Sequence, residues 1–203
     1  MIFEGGDGSG TTTQINILRE SFASGKLAKL PPLYTTFEPT DMPTGRIIRQ
    51  SLRGEISLKS ETIACLFAAD RNEHLYSAEG IVERCGRGEL VVCDRYTPSS
   101  LVYQGITCGS ELPARLNMDY PKPELILFFD IDPETAQKRM SSRSQKEIYE
   151  NLDFQIKVRE QYLKILEQYS EGSRMEIIDA SMPVEEVSAS VWRALEKMPI
   201  FKR

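Results

Sequence analysis

Histidine is almost absent from this chain: His74 is the only one, and the four cysteines (Cys65, Cys85, Cys93, Cys108) show no CxxC spacing. Structural zinc sites draw on clusters of such ligands, so neither a metal framework nor a disulfide scaffold is indicated, and Cys93, set in an apolar run, reads as a buried thiol. No apolar run approaches the roughly 20 residues that span a bilayer. The opening Ile2-Phe3-Glu4-Gly5 lacks the charged-then-apolar pattern of a secretory leader, which sets the expectation of a cytoplasmic protein with no membrane partner. Acidic residues outnumber basic ones, 30 to 25. The formal net charge is −5, which argues against the broad basic surface of a general nucleic-acid binder but leaves room for a local cluster of arginines facing phosphates.

Internal repeats, low-complexity tracts and Pro/Gly-rich linkers are missing too, so residues 1–203 are expected to form a single domain. What is present is an alternation. Short apolar runs at 2–4, 33–37, 90–94, 125–131 and 175–179 read as buried strands. Between them lie longer helical stretches at 11–22, 45–52, 62–84, 133–141, 147–169 and 184–197. Strands separated by helices imply crossover connections, hence an α/β fold: a three-layer α/β/α arrangement around a mostly parallel five-stranded sheet. Ligands of such sheets bind beyond the carboxyl ends of the strands.

The most informative segment lies between the first strand and the first helix: Gly5-Gly6-Asp7-Gly8-Ser9-Gly10-Thr11-Thr12-Thr13. Its four glycines let the backbone curl with N–H groups pointing inward, and the following helix adds its positive end, so the loop can hold phosphate oxygens. The P-loop pattern G-x-x-x-x-G-K-[ST] matches Gly5, Gly10 and Thr12, but Thr11 stands where the lysine belongs. That lysine is the cation that reaches the β- and γ-phosphates. Asp94 closes an apolar strand, where P-loop enzymes place a carboxylate near Mg²⁺, and Thr12 offers a hydroxyl to the same ion. Arg95 can pair with a substrate phosphate, because a guanidinium matches phosphate in a two-pronged way. Phe67 and Arg71 lie four apart on one helical face, where ring and guanidinium can meet one ligand. The plain alternatives are a core aromatic and a surface ion pair with Asp70 or Glu73.

Three segments carry a family resemblance. Leu66-Phe67-Ala68-Ala69-Asp70-Arg71-Asn72-Glu73-His74 resembles the thymidylate kinase helix that bears a thymine-stacking phenylalanine and a base-contacting arginine. Leu90-Val91-Val92-Cys93-Asp94-Arg95-Tyr96 resembles that family's D-R-[YFH] strand, and Ser99-Ser100-Leu101-Val102-Tyr103-Gln104-Gly105 its S-x-x-Y-Q-G helix. Pro133 to Ala136, Tyr149-Glu150 and Phe154-Gln155 fit its LID region, placed around 139–150, and the helix that leaves it. The resemblance covers essentially the whole chain. It implies phosphoryl transfer from ATP to dTMP with Mg²⁺, and a homodimer formed through the long helices. It further implies that Asp7 accepts from the sugar 3′-hydroxyl, its alternative being simply to fix the loop, that Ser99, Tyr103 and Gln104 line the nucleoside pocket with Phe67 and Arg71, and that Tyr149 and Gln155 either join the substrate site or pack the LID helix.

The chain departs from that family at two further places. Phe37 stands before Glu38-Pro39, where an arginine usually contacts the acceptor phosphate; Arg46 and Arg49 follow at helical spacing, either as substitutes or as a solvated helix face. The loop also lacks the arginine that some members place beside Asp7, which turns attention to Arg139 and Arg143 in the LID, Arg139 being otherwise an ordinary exposed helix residue and Arg143 the candidate for the transferring group. Asp179-Ala180-Ser181 resembles the family's loop near adenine, or is simply a turn before the next helix. Two rival readings of function stand beside this one: a nucleotide-binding relative that transfers phosphate poorly, to which the missing cations at Thr11 and Phe37 point, and a kinase for another small acceptor, which would keep the loop and alter the pocket.

Overall fold

The computed structural model describes residues 1–24, 30–140 and 148–201. Among them a five-stranded sheet runs β1 (Ile2–Gly5), β2 (Leu33–Phe37), β3 (Leu90–Asp94), β4 (Leu125–Asp130) and β5 (Arg174–Asp179), in the spatial order β2-β3-β1-β4-β5. Every neighbouring pair is parallel, so all five carboxyl ends open on the same side. Such a sheet is buried on both faces, which is why its central strands read as unbroken apolar runs.

Side chains alternate across the sheet with a period of two and build a separate core on each face. Phe3, Val92, Leu127 and Phe129 join Ile15 and Leu18 of α1 (Thr11–Ala23) and Val187, Val191 and Leu195 of α9 (Val184–Leu195). Their strand neighbours Ile2, Cys93, Ile126 and Phe128 turn to the opposite face. There they meet Ile48 and Leu52 of α2 (Pro43–Leu52), Leu75 of α3 (Ser60–Tyr76), Val102 of α5 (Thr97–Cys108), and Val158, Tyr162 and Leu166 of α8 (Leu152–Tyr169). The last three recur every four residues, one stripe of the helix. Cys93 is the buried thiol expected.

The strands match the sequence reading to within a residue or so, whereas two helices do not. The stretch 62–84 was expected to be continuous, but α3 stops at Tyr76 and a separate helix, α4 (Ile81–Gly86), follows a turn. The turn places Glu79 at φ 60, and a Cβ on Gly80 would sit 2.7 Å from the carbonyl oxygens of Leu75 and Ser77, so only glycine fits this close approach. Likewise α8 begins at Leu152 rather than 147. Asn151 is its N-cap, its side chain accepting from the N–H of Asp153 and of Phe154. The described chain also contains α6 (Glu111–Asn117), which the sequence reading did not foresee, α7 (Pro133–Met140) and a single 3₁₀ turn at Pro199–Phe201.

Candidate active site

Because all strands point the same way, the segments leaving them converge. The loop 6–10 follows β1, Glu38 follows β2, Asp94 closes β3 with Arg95 directly after it, and Asp179 closes β5. The loop after β1 is shaped by glycine. Gly8 and Gly10 have φ of 82° and 90°, and a Cβ on Gly5 would lie 2.5 Å from Ser9 Oγ. Gly10 is the N-cap of α1 and supplies no side-chain bond, and no acidic residue sits in the first turn. The first N–H groups of a helix have no intrahelical acceptor, so the end of α1 at Thr11, Thr12 and Thr13 stays open to an anion.

Two cavities meet at this edge. One is lined by the loop from Gly6 to Gln14 together with Asp94, Arg139 and the 180–184 segment. The other lies between α2, α3 and α5 and is lined by Phe67, Arg71, Ser99, Tyr103, Gln104 and Tyr149, with Arg49 at its rim. Asp7 and Arg95 line both. Their side chains form an ion pair, Arg95 Nη2 donating to Asp7 Oδ1 at 2.6 Å. Arg95 takes φ 67, uncommon for a residue with a side chain and a frequent mark of a functional position. Its Nη1 donates to the Gly5 carbonyl, and its guanidinium lies 5.1 Å from the Tyr103 ring centre.

Beneath Arg95 is a buried carboxyl, Glu4, that sequence reasoning left unassigned. It accepts from the Tyr96 N–H, Ser99 Oγ and Tyr162 Oη at 2.9, 2.7 and 2.9 Å. Burial pushes it up to about 7, against the opposing pull of Ser99 and the Arg95 charge. Between its unfolded value of 4.5 and about 7 the folded chain holds a proton that the unfolded chain has lost. This group's contribution to stability is therefore full below 4.5 and is lost as the pH rises through 7, at about 1.4 kcal/mol per pH unit. Urea unfolding at pH 5, 6, 7 and 8 should show that decline in the wild type and a flatter profile in Glu4→Gln. Parallel profiles would remove Glu4 as the cause.

The remaining expected residues take distinct places. Thr12 Oγ1 donates to Asp94 Oδ2 at 3.0 Å, while Asp94 Oδ1 is buried with no partner among the described residues. Such an oxygen beside a hydroxyl suits a hard divalent cation. Gln104 is buried and its Oε1 likewise lacks a partner at the cavity. Ser99 spends its hydroxyl on Glu4 and Tyr162. Gln155 does not line the second cavity: its Oε1 accepts from the Asp7 N–H, and its amide nitrogen donates to Asp7 Oδ2 and the Tyr149 carbonyl. It fixes Asp7 from behind. Of the two arginines of α2, Arg46 is exposed and bonds the Asp41 carbonyl, whereas Arg49 reaches the cavity rim, 5.2 Å from the Phe37 ring centre. Arg71 is not a surface residue. It is 1% exposed and paired with Glu38 rather than with Asp70 or Glu73. Arg139 donates to the carbonyls of Ala180 and Ser181, joining α7 to the turn that Asp179 closes by accepting from Ser181. Arg143 lies outside the described residues.

Comparison with known proteins now decides the family. The thymidylate kinase family model matches residues 3–191. The chain belongs to the thymidylate kinase family. It is 41% identical over 201 residues to the probable thymidylate kinase of Pyrobaculum aerophilum, covering 98% of this chain and 97% of that relative. To the thymidylate kinase of Geobacillus sp. it is 39% identical over 198 residues, 92% of this chain and 90% of the other. No described helix is long and apolar enough to cross a membrane.

Proposed function

We propose that this protein transfers the terminal phosphoryl group of ATP to the phosphate of dTMP, giving ADP and dTDP. The observation that carries this reading is the pair of cavities joined at Asp7 and Arg95, one built on a phosphate loop and the other on aromatic and amide side chains. Phosphoryl transfer demands alignment and charge neutralisation more than covalent chemistry, and a shared arginine at the junction supplies both. The loop N–H groups and the α1 end hold the donor phosphates. Thr12 and Asp94 would hold Mg²⁺, which when bound neutralises charge on phosphate oxygens. Arg95 and Arg49 face the acceptor phosphate, Arg49 standing in for the cation absent at Phe37.

In the second cavity Phe67 stacks on the base. The free Gln104 Oε1 accepts from the thymine N3–H, and Arg71 donates to a base carbonyl. Tyr103, Ser99 and Tyr149 form the walls. The LID around 139–150 brings Arg143 to the transferring group, and the molecule works as one domain in a homodimer, without a nucleic-acid partner. Turnover measured with dTMP, dUMP, dCMP and AMP at equal concentration should favour dTMP. A preference for AMP or dCMP would discard the pyrimidine assignment and leave the phosphate loop standing.

A further inference from the structure

Arg71 has five N–H groups to place, as every guanidinium does. Nε and Nη2 both donate to Glu38 Oε2, at 2.9 and 2.6 Å. Nη2 also donates to Ser100 Oγ at 3.0 Å, and Nη1 donates to Asn117 Oδ1. Four are thereby used among the described residues. One Nη1–H is left on a side chain that lines the second cavity.

The direction of that last N–H depends on Glu38, and Glu38 is itself held. Its Oε1 lies 3.1 Å from His74 Nδ1, and the other ring nitrogen, Nε2, is 2.6 Å from Thr36 Oγ1. A carboxylate engaged with a guanidinium only accepts, so Nδ1 carries the proton that bonds it. Thr36 lies in β2 and Glu38 directly after it, while Arg71 and His74 sit three apart on the buried face of α3. Glu38, His74 and Cys93 also bring three metal-ligand atoms within 4.8 Å of one another. Those atoms are already spent, however: the first two bond each other and the Cys93 thiol donates to the Arg95 carbonyl at 3.0 Å.

Building on the assignment of the second cavity to the pyrimidine, we infer that His74 is a positioning residue for base selection: the relay Thr36–His74–Glu38 fixes Arg71 so that its one unused N–H points at a carbonyl of the base. A donor fixed in that place favours thymine, which offers an oxygen at position 4, over cytosine, which offers an amino group there. The relay acts on binding, far from the transferred phosphate. Its loss therefore appears in KM for the acceptor rather than in kcat.

Two near-isosteric amides separate the halves of the imidazole. His74→Asn places its amide at the Nδ1 position and keeps the bond to Glu38; His74→Gln places it at Nε2, keeping Thr36 and releasing Glu38. Steady-state kinetics with dTMP and dCMP, at saturating ATP, should show KM for dTMP raised about tenfold in His74→Gln, with kcat within about threefold and KM for ATP unchanged. The preference for dTMP over dCMP should shrink by the same factor, while His74→Asn stays within about threefold of wild type. Thr36→Val, which removes the far end of the relay without touching Glu38 or Arg71, should move KM in the same direction by less. Equal kinetics for Asn and Gln, or a fall in melting temperature with KM and discrimination intact, would make His74 a purely structural residue and overturn the inference. A wild type with no preference for dTMP over dCMP would instead overturn the cavity assignment on which it rests.

Discussion

Replacing Arg95 by alanine is expected to lower kcat/KM for dTMP phosphorylation by about a hundredfold or more, corresponding to ~3 kcal/mol of lost transition-state stabilisation. Arg95 is the only cationic side chain that lines both cavities among the described residues, so no other described cation stands where donor and acceptor phosphates would meet. Folding should suffer much less. The side chain is 25% exposed, its ion-pair partner Asp7 is partly exposed too, and alanine at φ 67 bears the same backbone strain that the arginine already bears. Kinetics and thermal unfolding without ligand, measured on the same preparation, separate the two effects. A protein that melts far lower while its folded fraction binds and turns over normally would make Arg95 a structural ion-pair residue.

The second large effect is expected at Thr11. Its side chain lines the phosphate-loop cavity but carries no charge, and the cations described there are Arg95 and Arg139. Arg139 is engaged with the carbonyls of Ala180 and Ser181 at the far wall. Thr11→Lys should therefore be tolerated and raise turnover, by about tenfold if the lysine recovers half of a typical 3 kcal/mol cation effect. It should also relieve the dependence on Arg143. A double-mutant cycle with Arg143→Ala should show coupling of about 1 kcal/mol or more, whereas additivity would mean that the two positions share no role. A wild type that binds ATP yet makes no dTDP, beside a Thr11→Lys that does, would shift the reading to a nucleotide-binding relative with lost catalysis.

What the sequence disclosed and what it hid follow from the range of the interactions. Strands β3 and β4 were visible because burial on both faces forces unbroken apolar runs, a signal contained in five or six residues. The phosphate loop and Asp94-Arg95 were visible for the same reason: their chemistry is written in neighbours. The break at Gly80 was hidden because it answers a close approach of the carbonyls of Leu75 and Ser77, while the helical pattern runs on through Arg84. The roles of Gln155 and Glu38 were hidden more deeply. Gln155 meets Asp7 from 148 residues away, and Glu38 meets Arg71 from 33. The pair Arg46 and Arg49 shows the limit of helical spacing. Both were legible as candidates, and only the packing of α2 decides that Arg49 faces the cavity. One signal was available and unread: the single histidine stands three residues after Arg71, on its own helical face.

The junction at Asp7 and Arg95 also determines how the molecule can change. Phe67, Arg71 and Gln104 belong to one cavity only, and the loop from Gly8 to Thr13 belongs to the other. On the proposed assignment of the cavities, alterations on α3 and α5 change which base is accepted and leave the donor side alone. Alterations at the shared pair have no such freedom, because each of the two side chains lines both cavities at once. The architecture is thus modular at its ends and indivisible at its centre, and a descendant with a new acceptor is reached by repainting one wall rather than by rebuilding the hinge of the reaction.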